Sequence, residues 1–198
     1  MHRYLVCMTG ASGAAYGLGL LKALASAQGP CPEAELHLVA TAWARRVALE
    51  ETGAALDAQV AALGGGRIQV HGCDDLAALP SSGSFRLDGT VIVPCSMGTA
   101  GAIVSGISAN LVQRAGAVAL KEGWPLILVP RETPLSLVAL RGLVALKESG
   151  ATILPASPGF YTRPTSIEEL VDQITTRILD CLGLAQPEAK RWETRGEE

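Results

Sequence analysis

Six short stretches of the chain are apolar at nearly every position. They are "YLVCM" (4–8), "ELHLVA" (35–40), "RIQV" (67–70), "TVIVP" (90–94), "LILVP" (126–130) and "ATILP" (151–155). A strand with one wet face alternates apolar and polar residues; these do not, so each is expected to be covered on both sides. Between most of them lie segments long enough for a helix, at 13–28, 42–63, 98–120 and 134–149, and a last one at 166–182 follows the sixth run. Ser166 and Glu169 form a capping-box pattern at the start of that last helix. Strands of this kind alternating with helices predict an α/β fold, a Rossmann-like three-layer sandwich with a mainly parallel sheet. The pattern predicts one domain over 1–185, with a charged tail at 186–198 that contributes to the active site or to subunit contacts.

In an open parallel sheet, ligands bind beyond the carboxyl ends of the strands. That rule selects five peptides: "TGASG", "ATA", "PCSMGT", "PRETP" and "PASPGFY". All are rich in Gly, Pro, Ser and Thr, and the fold would gather them along one edge.

Composition narrows the partners. The chain has 198 residues, 48% hydrophobic and 18% charged, with a formal charge of −3. No basic stripe stands out, which argues against nucleic acid. The five cysteines are odd in number and form no C-x-x-C, so neither a disulfide framework nor a zinc site is expected. Reduced thiols and a cytoplasmic location are the simpler reading. The first apolar run is too short for a signal peptide. The mild segment 91–112 is broken by Pro94 and several Gly and Ser, so no membrane span is expected.

"MTGASGAAYG" (8–17) is a glycine turn entering a helix. Gly10 and Gly13 let the backbone approach an anion, and the N–H groups of the helix start, with the Ser12 hydroxyl, suit phosphate. The spacing is neither the dinucleotide nor the Walker pattern, and a plain tight turn competes evenly with phosphate or flavin binding. In "PCSMGT", Ser96 and Thr99 offer hydroxyls, while Cys95 reads as a small apolar filler. His2, His37 and His71 are expected at strand beginnings or near the N-terminus, away from this edge. That placement leaves Cys–His chemistry and a metal centre unsupported.

Arg131 and Glu132 follow an apolar strand and are held between Pro130 and Pro134. Arginine suits bidentate phosphate binding and the adjacent carboxylate suits proton transfer; a surface ion pair is the plainer alternative. Arg114, Lys121, Arg163 and Arg177 are further cations, each by itself more ordinarily solvated. Tyr161 is either a core aromatic or a phenol aimed at phosphate. Trp192, in a polar tail, suggests a contact with a partner or ligand.

Together, "MTGASGAAYG", "PCSMGT", "NLVQRA", "LKEGWPLILVPRETPLS", "GATILPASPGFYTRP" and "LVDQITTRILDCLG" resemble the flavin prenyltransferase family, formerly described as aromatic-acid or polyprenyl-hydroxybenzoate carboxy-lyases. The resemblance runs from about residue 3 to 184. It implies a homododecamer with FMN bound where subunits meet. It implies transfer of the dimethylallyl group of dimethylallyl monophosphate to flavin N5 and C6 of reduced FMN, without a metal. The product, prenylated FMN, would serve a partner decarboxylase.

Carried over by motif, Gly10, Ala11, Ser12, Thr41, Ser96, Met97, Gly98, Thr99 and Arg131 would hold FMN. Lys121, Arg131, Tyr161 and Arg177 would hold the prenyl phosphate, some of them from a neighbouring subunit. Arg114 and Trp192 join the substrate contacts, the latter closing over the site. Lys121 would gather charge on the leaving group, Glu132 would accept a proton, and Glu51 and Ser12 would orient N5 and relay its proton. Ala109 and "KEGW" depart from the commoner family residues, and the match around Thr41 and Glu51 has no distinctive motif. A flavin-dependent decarboxylase of a cysteine-type substrate, an FMN storage or trafficking protein, and a direct decarboxylase of a polyprenyl hydroxybenzoate are the competing readings.

Overall fold

The computed structural model describes residues 2–64 and 66–184. In chain order the strands are β1 (Arg3–Met8), β2 (Glu35–Ala40), β3 (Ile68–His71), β4 (Gly89–Cys95), β5 (Leu126–Pro130) and β6 (Thr152–Ile153). The helices are α1 (Ala14–Ala25), α2 (Ala42–Thr52), α3 (Leu56–Gly64), α4 (Met97–Val104), α5 (Leu111–Glu122), α6 (Leu137–Glu148) and α7 (Ile167–Cys181). The strands form one sheet in the order β3-β2-β1-β4-β5-β6, and each pairing is parallel. The chain leaves β1 in one direction and returns at β4 in the other, so the β1/β4 boundary is the topological switch point.

Successive residues of a strand face opposite sides, and both sides here are apolar. Tyr4, Val6 and Met8 of β1 pack with Leu36 and Leu38 of β2 against Leu20, Leu21 and Leu24 of α1 and Ile174 and Ile178 of α7. Leu5 and Cys7 pack with Val39 and Ile92 against Leu111, Val112 and Ala115 of α5 and Leu143 and Leu146 of α6. Covering each such leucine contributes about 1.5–3 kcal/mol. This double burial is the reason the strands carry no polar alternation.

Two expected helices are each broken in two. The 42–63 segment stops at Gly53, whose φ of 73° and N–H to the Leu49 carbonyl end α2 before α3 begins. The 98–120 segment turns at Gly106, φ 73°, and restarts at Asn110, whose side chain accepts from Gln113 N–H. Left-handed backbone of this kind is what glycine supplies without a steric cost. Ser166 caps α7 as expected, accepting from Glu169 N–H at 3.2 Å. The returning bond comes from Thr165 N–H to the Glu169 carboxylate, one residue earlier than a capping box places it.

The histidines also differ from expectation. His37 lies in the middle of β2, and His71 is the last residue of β3, not at a strand beginning. His37 Nδ1 and His71 Nε2 are 2.9 Å apart, and Phe85 meets the His37 ring edge-on. The pair lies within the sheet beside Glu35 and outside the binding loops. Burial lowers the pKa of both rings.

Candidate active site

The carboxyl edge is built outward from Thr9, the residue after β1. Its buried hydroxyl donates to the Pro94 carbonyl at 2.8 Å and accepts from Ser96 N–H at 2.8 Å. One side chain thus ties the loop after β1 to the loop after β4, across the switch point.

Gly10, Ala11 and Ser12 follow as a turn, and Gly13 completes it at φ 112°, where a side chain would be strained. The N–H groups at the start of α1 suit a phosphate by type, with a plain tight turn as the even alternative. In this structure Glu51, from the last turn of α2, takes that place. Its carboxylate accepts from Gly13 N–H at 2.9 and 3.1 Å and from Ala14 N–H at 2.8 Å. An anion at a helix amino end satisfies otherwise orphaned donors and the helix dipole together. The backbone donors at 13 and 14 are therefore occupied by the chain itself, while Gly10 and Ser12 are exposed and Ala11 between them is buried.

Arg131, the residue after β5, reaches over β4 to the same turn. Its Nε donates to the Ser12 carbonyl at 3.2 Å, and its backbone N–H meets the Cys95 carbonyl at 3.4 Å. Ser96 caps α4, its hydroxyl accepting from Thr99 N–H and donating to Thr99 Oγ1 at 3.0 Å. Met97 and Gly98 form the first turn of α4 beside it. Thr41 caps α2 by accepting from Ala44 N–H at 3.0 Å, which leaves its hydroxyl proton to donate. Cys95 is buried, which pushes its thiol up to about 12 and leaves it an inert filler.

Tyr161 stands on the loop after β6. Gln173 of α7 accepts from Gly159 N–H and donates to Thr162 Oγ1, pinning that loop. The phenol is 52% exposed, its ring close over Gly159. Glu132 is exposed beside Arg131.

Two expected cations are not brought to this edge within one chain. Lys121 lies in the last turn of α5, which ends just before β5 begins, and pairs with Glu122 at 2.8 Å. Arg177 lies toward the end of α7 and pairs with Asp180 at 2.8 Å. Just past that helix, Leu182 packs against Gly89, the first residue of β4, and so marks the amino edge of the sheet. Arg114, in the first turn of α5, spends its Nε on the Ser81 carbonyl at 3.0 Å. Trp192 lies outside the described residues.

The structure adds two residues that sequence reasoning missed. Thr9 stood in plain view inside "MTGASG", but its double role depends on a partner loop far along the chain. Trp43, two residues after Thr41, is 72% exposed, and its Cβ lies against Gly10. A bulky aromatic in the opening turn of a helix, directly after a strand end, was the available signal.

A family model described as Flavoprotein matches residues 1–179. The chain is 44% identical over 200 residues to the flavin prenyltransferase UbiX of Pseudomonas aeruginosa, spanning 96% of this chain and 93% of that protein. It superposes with TM-score 0.90 on AnUbiX (PadA1) crystallised with FMN and dimethylallyl pyrophosphate, at 42% identity over 98% of this chain and 99% of that one. It superposes with TM-score 0.89 on a dodecameric FMN-dependent UbiX-like decarboxylase from Escherichia coli O157:H7, at 42% identity over 97% of this chain and 100% of that one.

Proposed function

Since the chain belongs to the UbiX-like flavin prenyltransferase family, we propose that it transfers the dimethylallyl group of dimethylallyl monophosphate to N5 and C6 of reduced FMN. The product is prenylated FMN, handed on to a partner decarboxylase. Atoms and charge balance without an oxidant. The allylic carbon–oxygen bond breaks with its electron pair going to phosphate, and N5 supplies the pair for the first new bond and gives up its proton; the remaining alkene then takes up a proton at its middle carbon, C6 bonds to the tertiary carbon so formed, and C6 loses its own proton.

The observation that carries this reading is the contact of Arg131 with the Ser12 carbonyl. It puts a permanent cation on the glycine turn at the switch point, among the hydroxyls of Thr41, Ser96 and Thr99. A flat ring with an anionic tail fits such a surface. Positive charge set in advance on a departing phosphate lowers its barrier by several kcal/mol. Glu132, next to Arg131, is the assigned proton acceptor. Glu51, held against the first turn of α1, is assigned to orienting Ser12 toward N5.

Lys121, Arg177 and Tyr161 complete the phosphate site in this reading, with Lys121 and Arg177 supplied by a neighbouring copy. Their separation from Arg131 within one chain supports that division. Both cations are held locally by exposed pairs, each contributing at most about 1 kcal/mol, so turning them toward a phosphate costs little. Apolar side chains left uncovered also support assembly. Val138 is 81% exposed on α6, Leu137 and Val144 are exposed seven residues apart on one stripe of the same helix, and Phe160 and Ile167 are bare near the site. Trp192 and Arg114 are retained as proposed substrate contacts. No helix among the described residues is long and apolar enough to cross a membrane.

The test is anaerobic incubation of the purified protein with FMN, dithionite, dimethylallyl monophosphate and EDTA, read by mass spectrometry of the extracted flavin. A flavin carrying one dimethylallyl group is expected. Bound FMN that stays unmodified would overturn the reading and leave a flavin-storage protein.

A further inference from the structure

The glycine turn is flanked on two sides, and only one flank is occupied by a residue assigned above. On one side stands Arg131, bonded to the Ser12 carbonyl. On the other stands Trp43. A Cβ built on Gly10 would come within 2.5 Å of Trp43 Cβ, so the tryptophan occupies the space that a side chain at position 10 would need. The two positions are therefore fitted to each other: the absent side chain at 10 is what lets Trp43 lie against the turn.

Trp43 is also held firmly. It lies in the first turn of α2, whose start is fixed by the Thr41 hydroxyl accepting from Ala44 N–H and by the Thr41 N–H to the Met8 carbonyl at 3.0 Å. On this anchored backbone the indole is 72% exposed. A large apolar ring left open at the carboxyl edge of a parallel sheet has a surface to contribute to a ligand, and its π-face adds to the area it covers.

Resting on the functional reading above, we propose that Trp43 is a ligand-contacting residue that walls the flavin site opposite Arg131. The turn then presents an aromatic face on one side and a guanidinium on the other, which matches a flat heteroaromatic ring carrying a phosphate. Trp43 contributes to affinity and to the choice of a tricyclic ring over a smaller one, and takes no part in proton transfer.

The assembled wild-type protein, Trp43→Phe and Trp43→Ala are titrated with oxidised FMN. Tryptophan emission, FMN dissociation constant and assembled mass are followed. FMN is expected to quench wild-type emission, and Trp43→Phe to remove the larger part of that quench although Trp124 and Trp192 remain. The dissociation constant is expected to rise about twofold in Trp43→Phe and about tenfold in Trp43→Ala, with mass unchanged. An undiminished quench in Trp43→Phe, or unchanged affinity in Trp43→Ala, overturns the inference while leaving the prenyltransferase reading intact. Affinity lost only together with assembled mass also overturns it, because Trp43 would then be a contact between copies. Wild-type protein that takes up no FMN overturns the functional reading and this inference with it.

Discussion

The Glu51 carboxylate closes on the Ala14 N–H at 2.8 Å, so the last turn of α2 clasps the first turn of α1. Removing a charged acceptor from paired backbone donors leaves them to water and forfeits the dipole interaction. Glu51→Ala is expected to destabilise the protein by about 1–2 kcal/mol in urea unfolding. Glu51→Gln, which keeps a carbonyl acceptor, is expected to lose about half as much. Glu51→Ala should lose prenylation, since the turn that presents Ser12 is no longer held, and Glu51→Gln should keep a part of it.

Gly10 and Trp43 yield a sharper test. Gly10→Ala forces its new methyl onto Trp43 Cβ, an atom fixed by the backbone and unable to swing aside. Overpacking of this kind costs about 1–3 kcal/mol. Trp43→Ala retains the offending Cβ and is expected not to rescue Gly10→Ala, whereas Trp43→Gly is expected to restore most of the lost stability. Thermal unfolding of the two double variants distinguishes them.

Arg131 and Arg177 stand at opposite edges of one chain, and the proposed site needs both. Arg131→Ala and Arg177→Ala are each expected to lower prenylation by about two orders of magnitude. Denaturing the two variants together and refolding them should regenerate sites that take one intact arginine from each. Random mixing predicts activity in roughly a quarter of the sites. Recovery of none would mean that the two arginines do not share a site across copies.

Val138 presents most of its side chain outside the fold on α6. Val138→Asp is expected to reduce the assembled mass in light scattering while leaving the circular dichroism of the subunit unchanged, because an unpaired carboxylate in an apolar contact costs several kcal/mol. Prenylation should fall in step with assembly.

The His37–His71 pair sets a pH dependence. Burial lowers both pKa values from the ordinary 6.5, more than Glu35 beside His37 and Asp75 beside His71 raise them. The unfolded chain therefore takes up protons that the folded protein refuses. Stability is full above the ordinary histidine range and declines as pH falls through it. Glu35 and Asp88 have lowered carboxyl pKa values, so their contributions are lost only in more acidic solution. The unfolding midpoint is expected to drop between about pH 7 and about pH 5, and His37→Leu/His71→Leu to flatten that slope.

The strands were legible because burial on both faces writes an unbroken apolar run, and all six recur with ends within a residue or two, the last shortening to Thr152–Ile153. The helix breaks were not. Apolar residues continue through 42–63 and 98–120, and what stops the helices is local backbone geometry at Gly53 and Gly106. At the site, peptides after strand ends were readable because topology dictates where they gather. The acidic role expected of Glu51 carries no hint of its hold on α1, because its partner there lies 38 residues away in sequence. Lys121 and Arg177 were named by motif, and a motif does not record that each pairs with an acidic neighbour on its own helix.

Thr9 joins segments 87 residues apart through one oxygen that both gives and receives a hydrogen bond. The floor beneath any bound ring is consequently a single plate and not two hinged leaves. A visitor to this edge meets a shape completed during folding, and the entropy of arranging that floor has been met before the visitor arrives.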